Sequence, residues 1–368
     1  MSRLRIFHVV GARPNFMKAA PVIGALARRD GVEQVLVHTG QHYAANMSDA
    51  FFQQLGLPDP DINLEVGSGT HAVQTSQVMM RIEEHLIVRD PDLLVVYGDV
   101  NSTVAAAMAA AKLQIPVAHV EAGLRSGDRS MPEEINRIVT DRLARLLFTP
   151  SPDGDANLIA EGVDPAWIHR VGNVMIDSLV RLLPLTDPAS VLGPLGIAAG
   201  APFVLVTLHR PSNVDDPPML ERLFRAFRAL AQRAPVLFPV HPRTRARLEG
   251  ERWALPGLHL LEPLSYLEFI GLERDASLVV TDSGGVQEET AYLGVPCLTV
   301  RENTERPVTI EAGTNRLVGR DTDRLLREAL DILDTTRRQP KRVPSLWDGL
   351  ASERIADVIV ARRWRGPA

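Results

Sequence analysis

The 368-residue chain has a single cysteine, Cys297. That excludes an internal disulfide and suits a reducing, cytoplasmic setting. No Cys/His spacing of the zinc-site kind is present, and neither the GxGxxG dinucleotide fingerprint nor a P-loop occurs. The formal charge of −5 supplies no basic field for nucleic acid or for an anionic membrane surface. No apolar run approaches the ~18 residues of a membrane span. The N-terminal MSRLRIFHVVGARP is apolar only briefly before Gly-Ala-Arg-Pro, which reads as a first core strand rather than a signal peptide. No solenoid-length repeat and no low-complexity tract appears.

What is present is enough chain for two domains, with 45% hydrophobic residues to fill their cores. Short aliphatic runs alternate with amphipathic stretches. In the first half, strands are expected at Arg5–Val10, Gln34–His38, Leu93–Tyr97, Val117–Val120 and Leu146–Thr149, with helices at Phe16–Arg28, Ser102–Lys112 and Pro132–Arg145. The pattern restarts after residue 200, with strands at Phe203–Leu208, Val236–Val240, Leu258–Leu261, Leu278–Thr281 and Cys297–Val300. Helices there are expected at Met219–Arg233, Tyr266–Asp275, Gly285–Leu293 and Asp323–Leu333. This order predicts an α/β protein with parallel sheets covered on both faces. A helix at Val174–Leu182 precedes Leu183–Pro202, a Pro-, Gly- and Ala-rich stretch that reads as a linker. The expected domains are 1–173 and 174–350, with a last helix in 351–368.

The densest chemistry lies in His119–Arg137, HVEAGLRSGDRSMPEEINR, directly after an apolar run. Carboxylates Glu121, Glu133 and Glu134 and arginines Arg125, Arg129 and Arg137 are costly to desolvate at a strand end unless they bind or react. In an open α/β sheet that end is where ligands sit. A polar, partly anionic ligand handled by proton-moving carboxylates is expected. Glu133 and Arg137, four apart in a first helical turn, also read as a simple helical ion pair. Glu121 has no such explanation.

Other strand ends carry further candidates. Gly11-Ala12-Arg13 through Lys18 puts two cations beside a helix N-terminus, as anion ligands or as solvated charges. Asp99 follows a strand, and Ser102 can cap the next helix, leaving Asp99 for function. His209 closes the first strand of the second half and could face phosphate or simply occupy a loop. Ser283-Gly284-Gly285 at a strand-to-helix junction exposes amides for an anion. Glu289 lies one turn further on and suits a ribose diol. Arg306, in Thr304-Glu305-Arg306-Pro307, can pair with phosphate.

Together GARPNFMK, TGQH, GDVNST, HVEAGLR, PEEINR, VGNVMID, THR, DSGGVQEE and TERP resemble the non-hydrolysing UDP-N-acetylglucosamine 2-epimerases over nearly the whole chain. The resemblance implies two Rossmann-like domains facing across a cleft, GT-B-like, with the C-terminal helix crossing back to the first domain. It implies a cytoplasmic homodimer that needs no cofactor and no metal. The implied reaction removes the C2 proton of the UDP-sugar, expels UDP by anti elimination and re-adds it to 2-acetamidoglucal with the opposite face protonated. Asp99, Glu121, Glu133, Arg137 and His209 are then the catalytic residues, and the crowded carboxylates would raise one another's pKa values. Arg13, Lys18, Phe269, Ser283, Gly284, Gly285, Glu289 and Arg306 bind substrate, with Phe269 against uracil. Read without the resemblance, Phe269 is a core aromatic.

Some positions depart from the family pattern. Many members read Arg-Pro-Glu at Arg13-Pro14-Asn15, Gln-His-Arg-Gln at Gln41-His42-Tyr43-Ala44 and His-Arg-Arg-Glu-Asn at His209–Asn213. The last two segments serve a second, activating UDP-GlcNAc in bacterial members, so regulation of that kind is not expected here. The alternatives are a 2-epimerase of another UDP-2-acetamido sugar, such as a diacetamido uronic acid, or a hydrolysing relative. A retaining glycosyltransferase lacks such carboxylates, and a non-catalytic sensor has no need of them.

Overall fold

A computed structural model of the chain describes residues 3–40, 54–245, 247–248, 253, 255–335, 342–362 and 364. The Gln41–Ala44 departure lies outside them. The chain forms two compact units, Met1–Ser178 with Ser345–Ala368, and Leu179–Pro344.

In the first unit, β1 (Leu4–Val10), β2 (Val32–His38), β3 (Ile62–Asn63), β4 (Leu93–Tyr97), β5 (Val117–Val120), β6 (Leu146–Thr149) and β7 (Ile168–Arg170) make one sheet. Its order is β3-β2-β1-β4-β5-β6-β7 and every pairing is parallel. Covered on both faces, such strands read as unbroken aliphatic runs; β4 is buried along its whole length. The longer helices are α1 (Arg13–Ala27), α2 (His71–Arg89), α3 (Asn101–Lys112), α4 (Pro132–Leu143) and α5 (Pro152–Ala160), and α6 (Val174–Leu182) carries the chain from the first unit into the second. No helix is expected at α2 from the sequence. Its buried seam, Gln74, Val78, Ile82 and Leu86, is narrow, and exposed Val73, Met80, Ile87 and Val88 blur the pattern.

In the second unit, β8 (Val204–Thr207), β9 (Val236–Pro239), β10 (Leu258–Leu261), β11 (Leu278–Thr281), β12 (Cys297–Thr299) and β13 (Asn315–Leu317) form a parallel sheet ordered β10-β9-β8-β11-β12-β13. Its longer helices are α7 (Pro217–Leu230), α8 (Tyr266–Asp275), α9 (Gly284–Leu293) and α10 (Thr322–Asp334). The stretch expected as a linker is more than a tether. It carries short helical turns at Leu183–Leu185, Ala189–Leu192 and Gly193–Leu195, and it lends Leu192 and Ile197 to the core beneath β8 and β11.

The chain ends in α11 (Ala351–Val360), which belongs to the first unit and packs on α1. Asp177, on α6, caps it from afar by accepting the Ala351 and Ser352 amides at 3.1 and 2.7 Å. Trp347 is buried and donates to the Pro150 carbonyl at 2.9 Å. In each sheet the strand order reverses between the first and fourth strands, β1/β4 and β8/β11. The carboxyl ends flanking that reversal are where an open α/β sheet binds its ligand.

Candidate active site

At the first reversal point, β4 ends in Gly98-Asp99 and β5 runs into Glu121. Glu121 is buried, with a backbone φ of 73°. A non-glycine residue in that left-handed region costs ~1–3 kcal/mol and persists only where its surroundings enforce it. Here the Glu121 and Ala122 amides both donate to the Phe148 carbonyl at 3.0 Å. The bend turns the Glu121 carboxylate toward Lys18 on α1, and the two form a buried ion pair. Gly98 makes this approach possible: a Cβ there would stand 2.6 Å from Lys18 Nζ and 3.1 Å from Glu121 Oε2.

Arg137, on α4, is buried and bridges Asp99 to Glu134. It reaches Glu134 Oε2 through Nε at 3.1 Å and through Nη2 at 2.6 Å, and it pairs with Asp99 through Nη1. Burial opposes ionisation of Glu134. The Ser126 and Gly127 amides and Arg137 overcome that and hold its carboxyl below the usual range. The helical pair expected between Glu133 and Arg137 does not form. Arg137 uses Glu134, three residues away, because that carboxylate already anchors the 126–127 turn. Glu133 is half-buried and makes no ion pair among the described residues. The expected crowding of acids is also relieved, since Lys18 faces Glu121 and Arg137 stands between Asp99 and Glu134. Arg13 is exposed at the start of α1.

Behind these groups lies a layer the sequence analysis does not assign. His119, inside β5 and without solvent exposure, lies 2.6 Å from Asp141 Oδ1 through Nδ1 and 2.8 Å from the Gly98 carbonyl through Nε2. Asp141 also accepts the Gly123 amide at 3.1 Å and Arg125 at 2.7 Å. Burial of Asp141 is outweighed by His119 and Arg125, which hold its carboxyl below the usual range. The network fixes the turns on both sides of Glu121. Arg125 also pairs with Glu161 at 2.7 Å, so its charge is spent in support. The one available sequence signal was a histidine inside an apolar strand.

At the second reversal point, His209 follows β8 and Asp282 follows β11. Asp282 is fully buried and accepts from His209 Nδ1 at 2.9 Å, the Arg210 amide at 3.0 Å and Asn213 Nδ2 at 2.9 Å. Despite burial, His209, Asn213 and the Arg210 amide hold its carboxyl below the usual range. An ionised Asp282 keeps the proton on His209 Nδ1 and leaves Nε2 for a ligand. The His209 side chain is 52% exposed.

Ser283, Gly284 and Gly285 open α9 and stay partly exposed. Arg306 lies over that helix start, where a Gly284 Cβ would be 2.6 Å from its Nη1. Glu288 at 2.6 Å and Glu305 at 3.3 Å orient its guanidinium. Burial opposes the charge on Glu305, but Arg301 and Arg306 push its pKa down to about 2. Backbone amides at a helix N-terminus and an arginine thus lie side by side, the kind of arrangement that binds an anion. Glu289 is buried and accepts from the Tyr266 hydroxyl at 2.5 Å. Phe269, on α8, is half-buried against the core of this unit. Among the described residues no cluster of His, Cys, Asp and Glu is disposed to hold a metal, and no helix is long and apolar enough to cross a membrane.

The family profile described as UDP-N-acetylglucosamine 2-epimerase matches residues 24–360. A Methanococcus maripaludis UDP-N-acetylglucosamine 2-epimerase homolog is 46% identical, over 88% of this chain and 91% of its own. The UDP-2,3-diacetamido-2,3-dideoxy-D-glucuronate 2-epimerase of Pseudomonas aeruginosa is 42% identical, over 97% of this chain and 99% of its own. The crystal structure of Methanocaldococcus jannaschii UDP-GlcNAc 2-epimerase with UDP-GlcNAc and UDP matches with a TM-score of 0.85 at 39% identity, covering 97% of this chain and all of that one. The profile spans most of the chain and these relatives match it along nearly all of their own length, so the chain belongs to the UDP-N-acetylglucosamine 2-epimerase family.

Proposed function

We propose that the chain interconverts UDP-N-acetylglucosamine and UDP-N-acetylmannosamine by elimination and re-addition of UDP. The observation that carries this reading is the gathering of Glu121, Asp99 and Arg137 at one reversal point, with Glu121 held in a strained backbone. Proton transfer at carbon needs carboxylates fixed in place, and this arrangement supplies them. One carboxylate takes the C2 proton. The C–H electron pair becomes the C1–C2 double bond, and the C1–O pair leaves with the β-phosphate. Return of UDP to C1, with a proton delivered to the other face of C2, gives the epimer, and no oxidant is consumed.

In this reading Asp99, Glu121 and Glu133 share proton transfer and sugar binding, and Arg137 supports them. His209 faces the leaving phosphate with its Nε2 edge. Ser283, Gly284, Gly285 and Arg306 bind the diphosphate, Glu289 the ribose and Phe269 the uracil, with Arg13 toward the nucleotide, while Lys18, expected beside it, holds Glu121 instead. The α2 line Val73, Met80 and Ile87, one residue every two turns and exposed, supports a homodimer. A monomer in sedimentation velocity would remove that part. The single cysteine supports a cytoplasmic setting.

The test is proton NMR of the protein with UDP-N-acetylglucosamine in deuterated water. The expected product is UDP-N-acetylmannosamine carrying deuterium at C2. Free UDP with N-acetylmannosamine would indicate hydrolysis instead. The Pseudomonas relative favours a second reading, a diacetamido uronic acid substrate; turnover of that sugar nucleotide with none of UDP-N-acetylglucosamine would select it.

A further inference from the structure

Glu289 has a second carboxyl behind it. Glu273 lies on α8 two turns beyond Tyr266, and it has no solvent exposure. Among the described residues no donor reaches either of its oxygens, and no cation is paired with it. The groups that face it are Glu289 from α9, Tyr266 from its own helix by way of Glu289, and the buried Cys297 thiol from β12. That thiol is no counter-ion: burial pushes its pKa up to about 12. A buried carboxylate with neither donor nor cation costs several kcal/mol, so the group takes up a proton instead. Once protonated it is itself a donor, and the acceptor beside it is Glu289.

We propose that Glu273 is kept as a neutral carboxylic acid that donates its hydrogen bond to Glu289, so that Glu273 and Tyr266 together fix the Glu289 carboxylate for a ribose diol. Glu273 is thus a positioning residue that acts through Glu289. The proposal rests on the nucleotide reading given above. Burial, reinforced by the charge of Glu289 and the hydrogen bond between them, raises the Glu273 pKa well above the usual range. Between that range and the raised value the folded chain holds a proton that the unfolded chain has released, so stability falls as pH rises through this window. UDP affinity falls in the same direction, because ionised Glu273 no longer donates.

The test compares the full-length wild type with Glu273→Gln, whose amide can donate but cannot ionise, and with Glu273→Leu, which fills the space without a donor. Calorimetry with UDP and with 2′,3′-dideoxy-UDP is run from mildly acid to alkaline pH. A hydrogen bond to a charged group, ~1.5–3 kcal/mol, corresponds to a ~10–100-fold effect on affinity. Wild-type affinity for UDP is expected to fall by that order as pH rises, while Glu273→Gln keeps the low-pH affinity throughout. Glu273→Leu should lose that order for UDP and nothing for the dideoxy analogue.

Infrared difference spectra between wild type and Glu273→Gln should show a protonated carboxyl band that belongs to Glu273. Equal losses for both nucleotides, or an unaltered pH profile in Glu273→Gln, would overturn the proposal. An absent band would overturn it and leave the epimerase reading standing. A wild type that binds UDP and its dideoxy analogue equally would remove the ribose role of Glu289, and the proposal with it. Should Glu273→Leu fail to fold, the Glu273→Gln profile and the spectrum still decide.

Discussion

At the carboxyl ends of β4 and β5 buried cations hold acids; at those of β8 and β11 buried acids hold cations. Lys18 and Arg137 are spent on Glu121, Glu134 and Asp99. Asp282, Glu288 and Glu305 are spent on His209 and Arg306. The two sheets share one strand order, so the fold does not dictate the difference. It matches what the proposed function asks of each end: carboxylates that can exchange protons at one, positive charge and amides for a diphosphate at the other. Arg137 is buried deeper than Asp99, Asp282 deeper than His209, and Glu288 and Glu305 deeper than Arg306, where low dielectric strengthens their grip, whereas Lys18 and Glu121 are buried alike.

The largest effects should separate the two ends by kinetic parameter. Glu121→Gln keeps the shape and removes a proposed proton-transfer group. Its kcat should fall ~10²–10⁴-fold, the usual contribution of a positioned proton-transfer group. Its dissociation constant for UDP should stay at the wild-type value in calorimetry. Arg306→Ala should do the reverse in the binding assay, weakening UDP ~10–100-fold through loss of a charge-assisted contact of ~1.5–3 kcal/mol. If Glu121→Gln weakens UDP as much as Arg306→Ala does, the division of labour is wrong.

Stability sharpens the same contrast. Lys18→Met breaks the buried ion pair with Glu121 and should cost ~3–5 kcal/mol in urea unfolding. His209→Gln removes a half-exposed side chain. Asp282 still has the backbone amides and Asn213, so the cost should stay near ~1 kcal/mol. Comparable losses in the two variants would mean that the supporting charges are not arranged in opposite senses.

Much of this was legible in the chain because buried parallel strands are continuous aliphatic runs and the working residues follow them directly. Asp99, Glu121, His209 and Ser283 each stand within two residues of a strand end. What could not be read is what depends on distant partners. Lys18 and Glu121 are far apart in sequence, and nothing local marks them as a pair. Spacing favoured Glu133 for Arg137, but the Ser126 and Gly127 amides had already recruited Glu134. Glu273 sits in an amphipathic helix where a carboxyl looks like solvated surface. Helix α2 is hard to read because Val73, Met80, Ile87 and Val88 on its exposed side blur a narrow seam.

Asn15 offers the smallest test and the closest match between the two ends. Its Oδ1 accepts the Gly11 and Ala12 amides at 3.1 Å each, while Nδ2 donates to the Tyr97 carbonyl at 2.8 Å. Asp282 does the equivalent for the His209 and Arg210 amides after β8. One turn is therefore tied by a neutral amide and the other by an ionised acid. The reason lies in the neighbours: Asp282 faces a histidine N–H and an Asn amide, whereas Asn15 faces a carbonyl that needs a donor. Asn15→Asp keeps both amide contacts and adds charge at a helix start, but it turns an acceptor toward the Tyr97 carbonyl. Thr103 still donates to that carbonyl at 2.8 Å, so the loss should be only ~1 kcal/mol. Asn15→Ala, which strands two amides, should cost more in the same denaturation series. If Asn15→Asp proves the costlier of the two, the donated bond to Tyr97 outweighs the amide pair, and the likeness between the two turns is one of shape alone.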